Sequence, residues 1–149
     1  MLSPVKVLVV DDYAPWLHFV SLALAVKPEI QVVGEAPTGL TALQKVAELN
    51  PDLVVLDIGL PDISGIRVAQ QIRDMSPNIR ILFLSENTCR EVVRAALCTG
   101  AQGYVVKSSA GRELLPALDA VLLDCYFVSA AANYFGPGDG PLFSRLSDA

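Results

Sequence analysis

Five short apolar runs recur along the chain, and each is followed by a stretch with helical spacing. The runs are residues 5–10, 30–33, 53–56, 80–84 and 103–106; the helical stretches are 13–26, 40–49, 65–75, 88–98 and 109 to about 123. The run Leu53-Val54-Val55-Leu56 has no polar position, as a strand covered on both faces requires. Punctuation agrees with this division. Pro15 suits a first helical turn, Asn50-Pro51 and Ser76-Pro77 stop helices, and Thr99-Gly100 follows one. Pro116 falls inside the last helix and predicts a late start or a kink there.

Strands that alternate with helices need parallel crossovers, which are right-handed. An open, doubly wound α/β sheet follows, and the flavodoxin-like order 2-1-3-4-5 is one of two common solutions. Such sheets hold ligands at the carboxyl ends of their strands. Here those ends carry the chemistry. The first strand runs into Asp11-Asp12, the third ends at Asp57, the fourth at Ser85 and the fifth at Lys107. Three close carboxylates repel one another unless a cation sits among them. Mg²⁺ takes oxygen ligands and keeps positions for water or phosphate. Asp12, Asp57 and the backbone carbonyl of Gly59 are the candidate ligands, with Asp11 acting through water. Lys107 and the Ser85 hydroxyl are placed to hold phosphoryl oxygens. Asp57 is then the attacking oxygen and an aspartyl phosphate the product, and a carboxylate nucleophile needs no general base.

Composition narrows the classes. The chain has 149 residues, a formal charge of −5 and 52% hydrophobic residues, which suits one compact core. An acidic surface is a poor match for a phosphate backbone, so direct nucleic-acid binding is not expected. No apolar run approaches the roughly 20 residues of a membrane span, and no basic-then-apolar leader opens the chain. A cytoplasmic protein without membrane contact is expected. Cys89, Cys98 and Cys125 match neither a disulfide framework nor a zinc site and read as buried thiols. His18, the sole histidine, reads as an ordinary helix residue. Residues 1–124 form the expected domain. Residues 125–149 form a partly ordered tail in which Tyr126-Phe127-Val128 packs back and the Gly-Pro-rich segment 136–141 forms no regular element.

Together these residues resemble a response-regulator receiver domain over about residues 5–123. The resemblance rests on Asp11-Asp12, Leu56-Asp57, Leu60-Pro61, Ser85, Gly103-Tyr104 and Lys107. Val33-Gly34-Glu35-Ala36 with Gly39, and the run from Gly100 to Tyr104, are most similar to receivers of the NarL/FixJ type. The resemblance implies a CheY-like, flavodoxin-like (βα)5 doubly wound parallel sheet of strand order 2-1-3-4-5. It implies that Asp57 is the phosphoacceptor, fed by a sensor histidine kinase or phosphotransfer protein. Asp11, Asp12 and Gly59 would bind Mg²⁺, and Ser85 and Lys107 would hold the phosphoryl group. Ser85 and Tyr104 would form the switch, read by an unknown downstream protein or a homodimer through the fourth helix, fifth strand and fifth helix. No enzymatic activity is implied beyond taking up the phosphoryl group and slowly losing it.

The chain departs from the family at three points. Ser108 follows Lys107 where many receivers have Pro, so a trans bond is expected. Glu86 follows Ser85 where a small residue is usual. The LuxR-type output domain usual in such regulators is not expected within these 149 residues. Two other readings stay open: the receiver part of a truncated LuxR-type transcription regulator, and an aspartyl-phosphate hydrolase. The second lacks its proton donor, because position 59 is Gly. A flavin-binding protein is disfavoured, since Asp11-Asp12 would repel a phosphate.

Overall fold

The computed structural model describes residues 3–132. The expected segment 136–141 lies outside the described residues. Six parallel strands form one sheet: β1 (Val5–Val10), β2 (Ile30–Ala36), β3 (Leu53–Leu56), β4 (Arg80–Ser85), β5 (Gly103–Val106) and β6 (Phe127–Val128). Their order is β2-β1-β3-β4-β5-β6. The first five strands keep the expected order, and β6 is added beyond β5. The helices are α1 (Ala14–Ala25), α2 (Gly39–Leu49), α3 (Gly65–Met75), α4 (Arg90–Leu97) and α5 (Ala110–Leu122).

Alternation along each strand sorts side chains to the two faces. Leu8, Val10, Val54 and Leu56 pack in one core with Val46 of α2, Ile72 of α3 and Val93 of α4. Val7, Val9, Leu53 and Val55 pack in the other with Leu24 of α1 and Leu118 of α5. A sheet buried on both faces explains why β3 has no polar residue.

Several boundaries differ from the sequence reading. β2 continues to Ala36, and the register slips between Val7 and Leu8, which leaves Val33 as the extra residue. Gly34-Glu35-Ala36 therefore pairs with β1 and carries the strand past the expected end at Val33. α4 is shorter than expected and starts at Arg90. α5 runs on through Pro116. Pro116 and Arg112, whose carbonyl loses its donor, are both exposed, so water can take the lost bond. All three cysteines are exposed, not buried. Cys89 and Cys98 flank α4 and Cys125 follows the turn at Asp124, and such end positions lie at the surface.

β6 changes the edge of the sheet. The Phe127 amide donates to the Gln102 carbonyl at 3.1 Å and the Ser129 amide to the Tyr104 carbonyl at 2.9 Å. The edge of β5 that an open helix–strand–helix face would use is therefore paired within the chain.

Candidate functional site

Strand register brings the strand ends together. Val10 is level with Leu56, and Leu56 with Phe83. The Asp57 amide donates to the Val10 carbonyl at 3.0 Å, which ties the end of β3 to the end of β1. Ligand oxygens of Asp11, Asp12 and Asp57 all lie within 4.8 Å of one another. Asp11 is 2% exposed, Asp57 6% and Lys107 7%.

The Lys107 ammonium lies 2.7 Å from Asp11 Oδ2 and 3.3 Å from Asp57 Oδ2. It follows β5 in a 3₁₀ turn, Lys107–Ser109, that leads into α5. The Lys107–Ser108 bond is trans. Burial raises the Asp57 carboxyl above its ordinary range; Lys107 pulls it down and Asp11 pushes it up again. Burial works against the Lys107 charge, but its contacts with Asp11 and Asp57 outweigh it and the ammonium is held above its usual value.

The remaining oxygens define the donor set. Asp11 Oδ1 accepts from the Tyr13 amide at 2.9 Å, and Asp57 Oδ1 from the Ile58 amide at 2.8 Å. Asp11 Oδ2 is buried and, apart from the Lys107 charge, has no hydrogen-bond partner. Three carboxylates with one ammonium leave an excess of negative charge. That donor set, all oxygen and partly unsatisfied, fits a hard divalent cation such as Mg²⁺.

The loop after Asp57 is held from two sides. Gly65 packs so closely that a Cβ there would lie 1.9 Å from the Asp57 carbonyl oxygen. Asp62 accepts from the Gly39 and Leu40 amides at 2.8 Å each and so caps the start of α2. Those two amides hold its carboxyl below the ordinary value, Leu40 contributing most. The Asp62 cap escaped the sequence reading, because its partners are 23 and 22 residues away.

Ser85 and Tyr104 are linked through the backbone of one residue, Asn87. The Asn87 amide donates to Ser85 Oγ at 3.1 Å, and the Tyr104 hydroxyl donates to the Asn87 carbonyl at 2.7 Å. Tyr104 is fully buried against Phe83, with ring centres 6.1 Å apart. Burial raises its hydroxyl above the usual value. Nothing in the sequence pointed to Asn87. Glu86 is exposed and lines the mouth of a cleft of about 420 Å³ together with Asp12, Asp57, Gly59, Ser85 and Lys107. Every residue singled out at the strand ends except Asp11 and Tyr104 lines that cleft. Asp11 reaches it through Lys107, and Tyr104 stands behind Ser85. His18 is exposed on α1, as expected.

The sequence matches the response regulator receiver domain family over residues 7–119. The chain belongs to this family. Among similar receivers is the DNA-binding transcriptional activator DevR/DosR of Mycobacterium tuberculosis, 38% identical over 117 residues, which cover 78% of this chain and 54% of that protein. A protein-glutamate methylesterase/protein-glutamine glutaminase of Nocardioides sp. is 40% identical over 124 residues, covering 79% of this chain and 34% of that protein. The crystal structure of a LuxR-family two-component response regulator from Aurantimonas sp. superposes with a TM-score of 0.82 at 31% identity, covering 87% of this chain and 93% of that one. The chain spans about half the length of the first relative and a third of the second. As a receiver, it is part of the two-component class. None of its described helices is long and apolar enough to cross a membrane.

Proposed function

We propose that this receiver takes a phosphoryl group onto Asp57 from a phosphohistidine of a sensor kinase or phosphotransfer protein. The observation that carries the proposal is a buried carboxylate that shares one ammonium with a second buried acid and lines a polar cleft. A carboxylate oxygen of Asp57 forms the new O–P bond. The P–N bond to the donor imidazole breaks, and its electron pair stays on the imidazole nitrogen. Asp12, Asp57 and the Gly59 carbonyl would hold Mg²⁺ directly and Asp11 through water. Bound there, the ion supplies charge neutralisation for the phosphoryl oxygens. Lys107 favours the charged form of Asp57 against its burial and then turns its ammonium toward a phosphoryl oxygen. Ser85 supplies a hydroxyl to another.

The Asn87 backbone supports Ser85 and Tyr104 as the switch, since both side chains bond to that one residue. The output surface of this reading is α4, β5 and α5 with β6 laid along their edge. The chain acts through a downstream protein, with no chemistry of its own beyond gain and loss of the phosphoryl group. A homodimer through that surface has to form over β6 or displace it.

Incubation with acetyl phosphate and Mg²⁺ tests the proposal. The wild type should gain one acid-stable, alkali-labile phosphoryl group, and Asp57→Asn none. Labelling that persists in Asp57→Asn, or that ignores chelation of Mg²⁺, contradicts it.

A second reading is that the receiver serves a longer transcription regulator. The likeness to DevR/DosR and the 54% share of that relative support it. The acidic composition of this chain argues against a DNA contact by the receiver itself. A phosphorylation-dependent gel shift with the longer gene product tests it.

A further inference from the structure

Trp16 lines the cleft, yet the chemistry above makes no use of it. It is the sole tryptophan of the chain and stands half-buried near the start of α1. The Lys107 ammonium lies 5.0 Å from its ring centre. A cation within about 6 Å of an indole is attracted by the negative face of the ring. The ring is itself braced: Phe19, one turn further along α1, meets it edge-on at 5.3 Å with planes 79° apart. The spacing of three residues puts both rings on the same side of the helix.

Lys107 is therefore held by groups of two kinds. Asp11 Oδ2 and Asp57 Oδ2 bind it through full charges. The indole attracts it more weakly and without a fixed donor–acceptor line. A third carboxylate in that place would compete with a phosphoryl group for the ammonium. An aromatic face does not, and it excludes water from the side it covers.

We propose that Trp16 is a positioning residue for phosphoryl transfer: its face steadies the Lys107 ammonium beside Asp57 and keeps water from that side of the cleft. The proposal rests on the reading of Asp57 as phosphoacceptor and adds a residue to it. Trp16 acts through Lys107 and gives no atom to the reaction.

The test uses the full chain with Mg²⁺ and acetyl phosphate. Labelling rate and phosphoryl half-life are compared among the wild type, Trp16→Phe and Trp16→Leu, with thermal unfolding run on each. Trp16→Leu should label more slowly and lose its label sooner, each by about two- to thirtyfold, the range of one cation–π contact from exposed to desolvated. Trp16→Phe keeps an aromatic face and should recover most of both. As a separate readout, beryllofluoride with Mg²⁺ should shift the Trp16 emission of the wild type, because Lys107 turns toward the bound anion; Asp57→Asn should show no shift. If Trp16→Leu fails to fold, the Phe variant and the emission change decide. A labelled wild type whose Leu variant matches it, or whose Phe and Leu variants are equally impaired, overturns this inference and leaves the Asp57 reading standing. So does an unchanged emission in a protein that labels. A wild type that takes no label overturns the Asp57 reading and this inference with it.

Discussion

Lys107 stands closer to Asp11 than to Asp57, at 2.7 Å against 3.3 Å. The lysine is thus the counter-charge of both buried carboxylates and not of the central aspartate alone. Lys107→Met leaves two buried carboxylates facing each other. Stability without Mg²⁺ should fall by about 3 kcal/mol, the size of a broken buried pair. Mg²⁺ should then raise the unfolding midpoint of the variant more than that of the wild type. Calorimetric scans with and without chelator check both expectations.

Asp12 is the exposed member of the cluster, so its removal separates metal binding from folding. Asp12→Asn should weaken Mg²⁺ binding at least about tenfold, since even outer-shell changes reach that size. Unfolding of the metal-free protein should stay within about 0.5 kcal/mol of the wild type. A Mg²⁺ titration followed by Trp16 emission gives the affinity.

Gly65 sets the position of Asp57 by lacking a side chain. A Cβ would meet the Asp57 carbonyl oxygen at 1.9 Å, and a backbone atom has no rotamer with which to yield. Gly65→Ala should destabilise the fold by about 3 kcal/mol, the upper range for overpacking. It should also slow labelling of Asp57. An Ala variant as stable as the wild type contradicts the tight approach.

Ser129 closes the end of β5. Its hydroxyl accepts from the Val106 amide at 3.0 Å and donates to Glu113 of α5. Ser129→Ala leaves a buried amide without an acceptor, for about 1–2 kcal/mol. Amide exchange should accelerate at Val106 well before it does at Val54 in the centre of the sheet. Equal exchange at the two sites contradicts a role for β6 in holding β5.

Asp62 predicts a pH dependence. Its carboxyl is held below the ordinary 3.8 by the Leu40 and Gly39 amides. A depressed carboxylate stabilises the fold above its unfolded value, and that contribution is lost as pH falls through the folded value. Asp62→Ala should therefore melt a few degrees below the wild type near neutral pH. The gap should close below 3.8 as the wild-type carboxyl takes up its proton. Melting curves across acidic pH test the direction.

Much of the site was legible because chemistry and position coincide at strand ends. Asp11, Asp57, Ser85 and Lys107 each end an apolar run, and a parallel sheet brings such ends to one edge. The misread boundaries had local causes. Gly34-Glu35-Ala36 looks like a turn by composition, but pairing with β1 carries the strand through it. The cysteines were assigned to the core by residue type, whereas their places at helix ends and after a turn expose them.

By itself the sequence determined the number of βα units, the residue types at each strand end and the sign of the charge around them. These follow from short-range patterns: an apolar run of strand length, a helix stop, a carboxylate where the run ends. Only the tertiary structure decided that Phe127–Val128 lies along β5, that Asn87 joins Ser85 to Tyr104 and that Trp16 stands over Lys107. The reason is physical. Trp16 and Lys107 are far apart along the chain, and no periodicity in either segment encodes the 5.0 Å between them. That distance exists only once α1 and the end of β5 are packed against the same sheet.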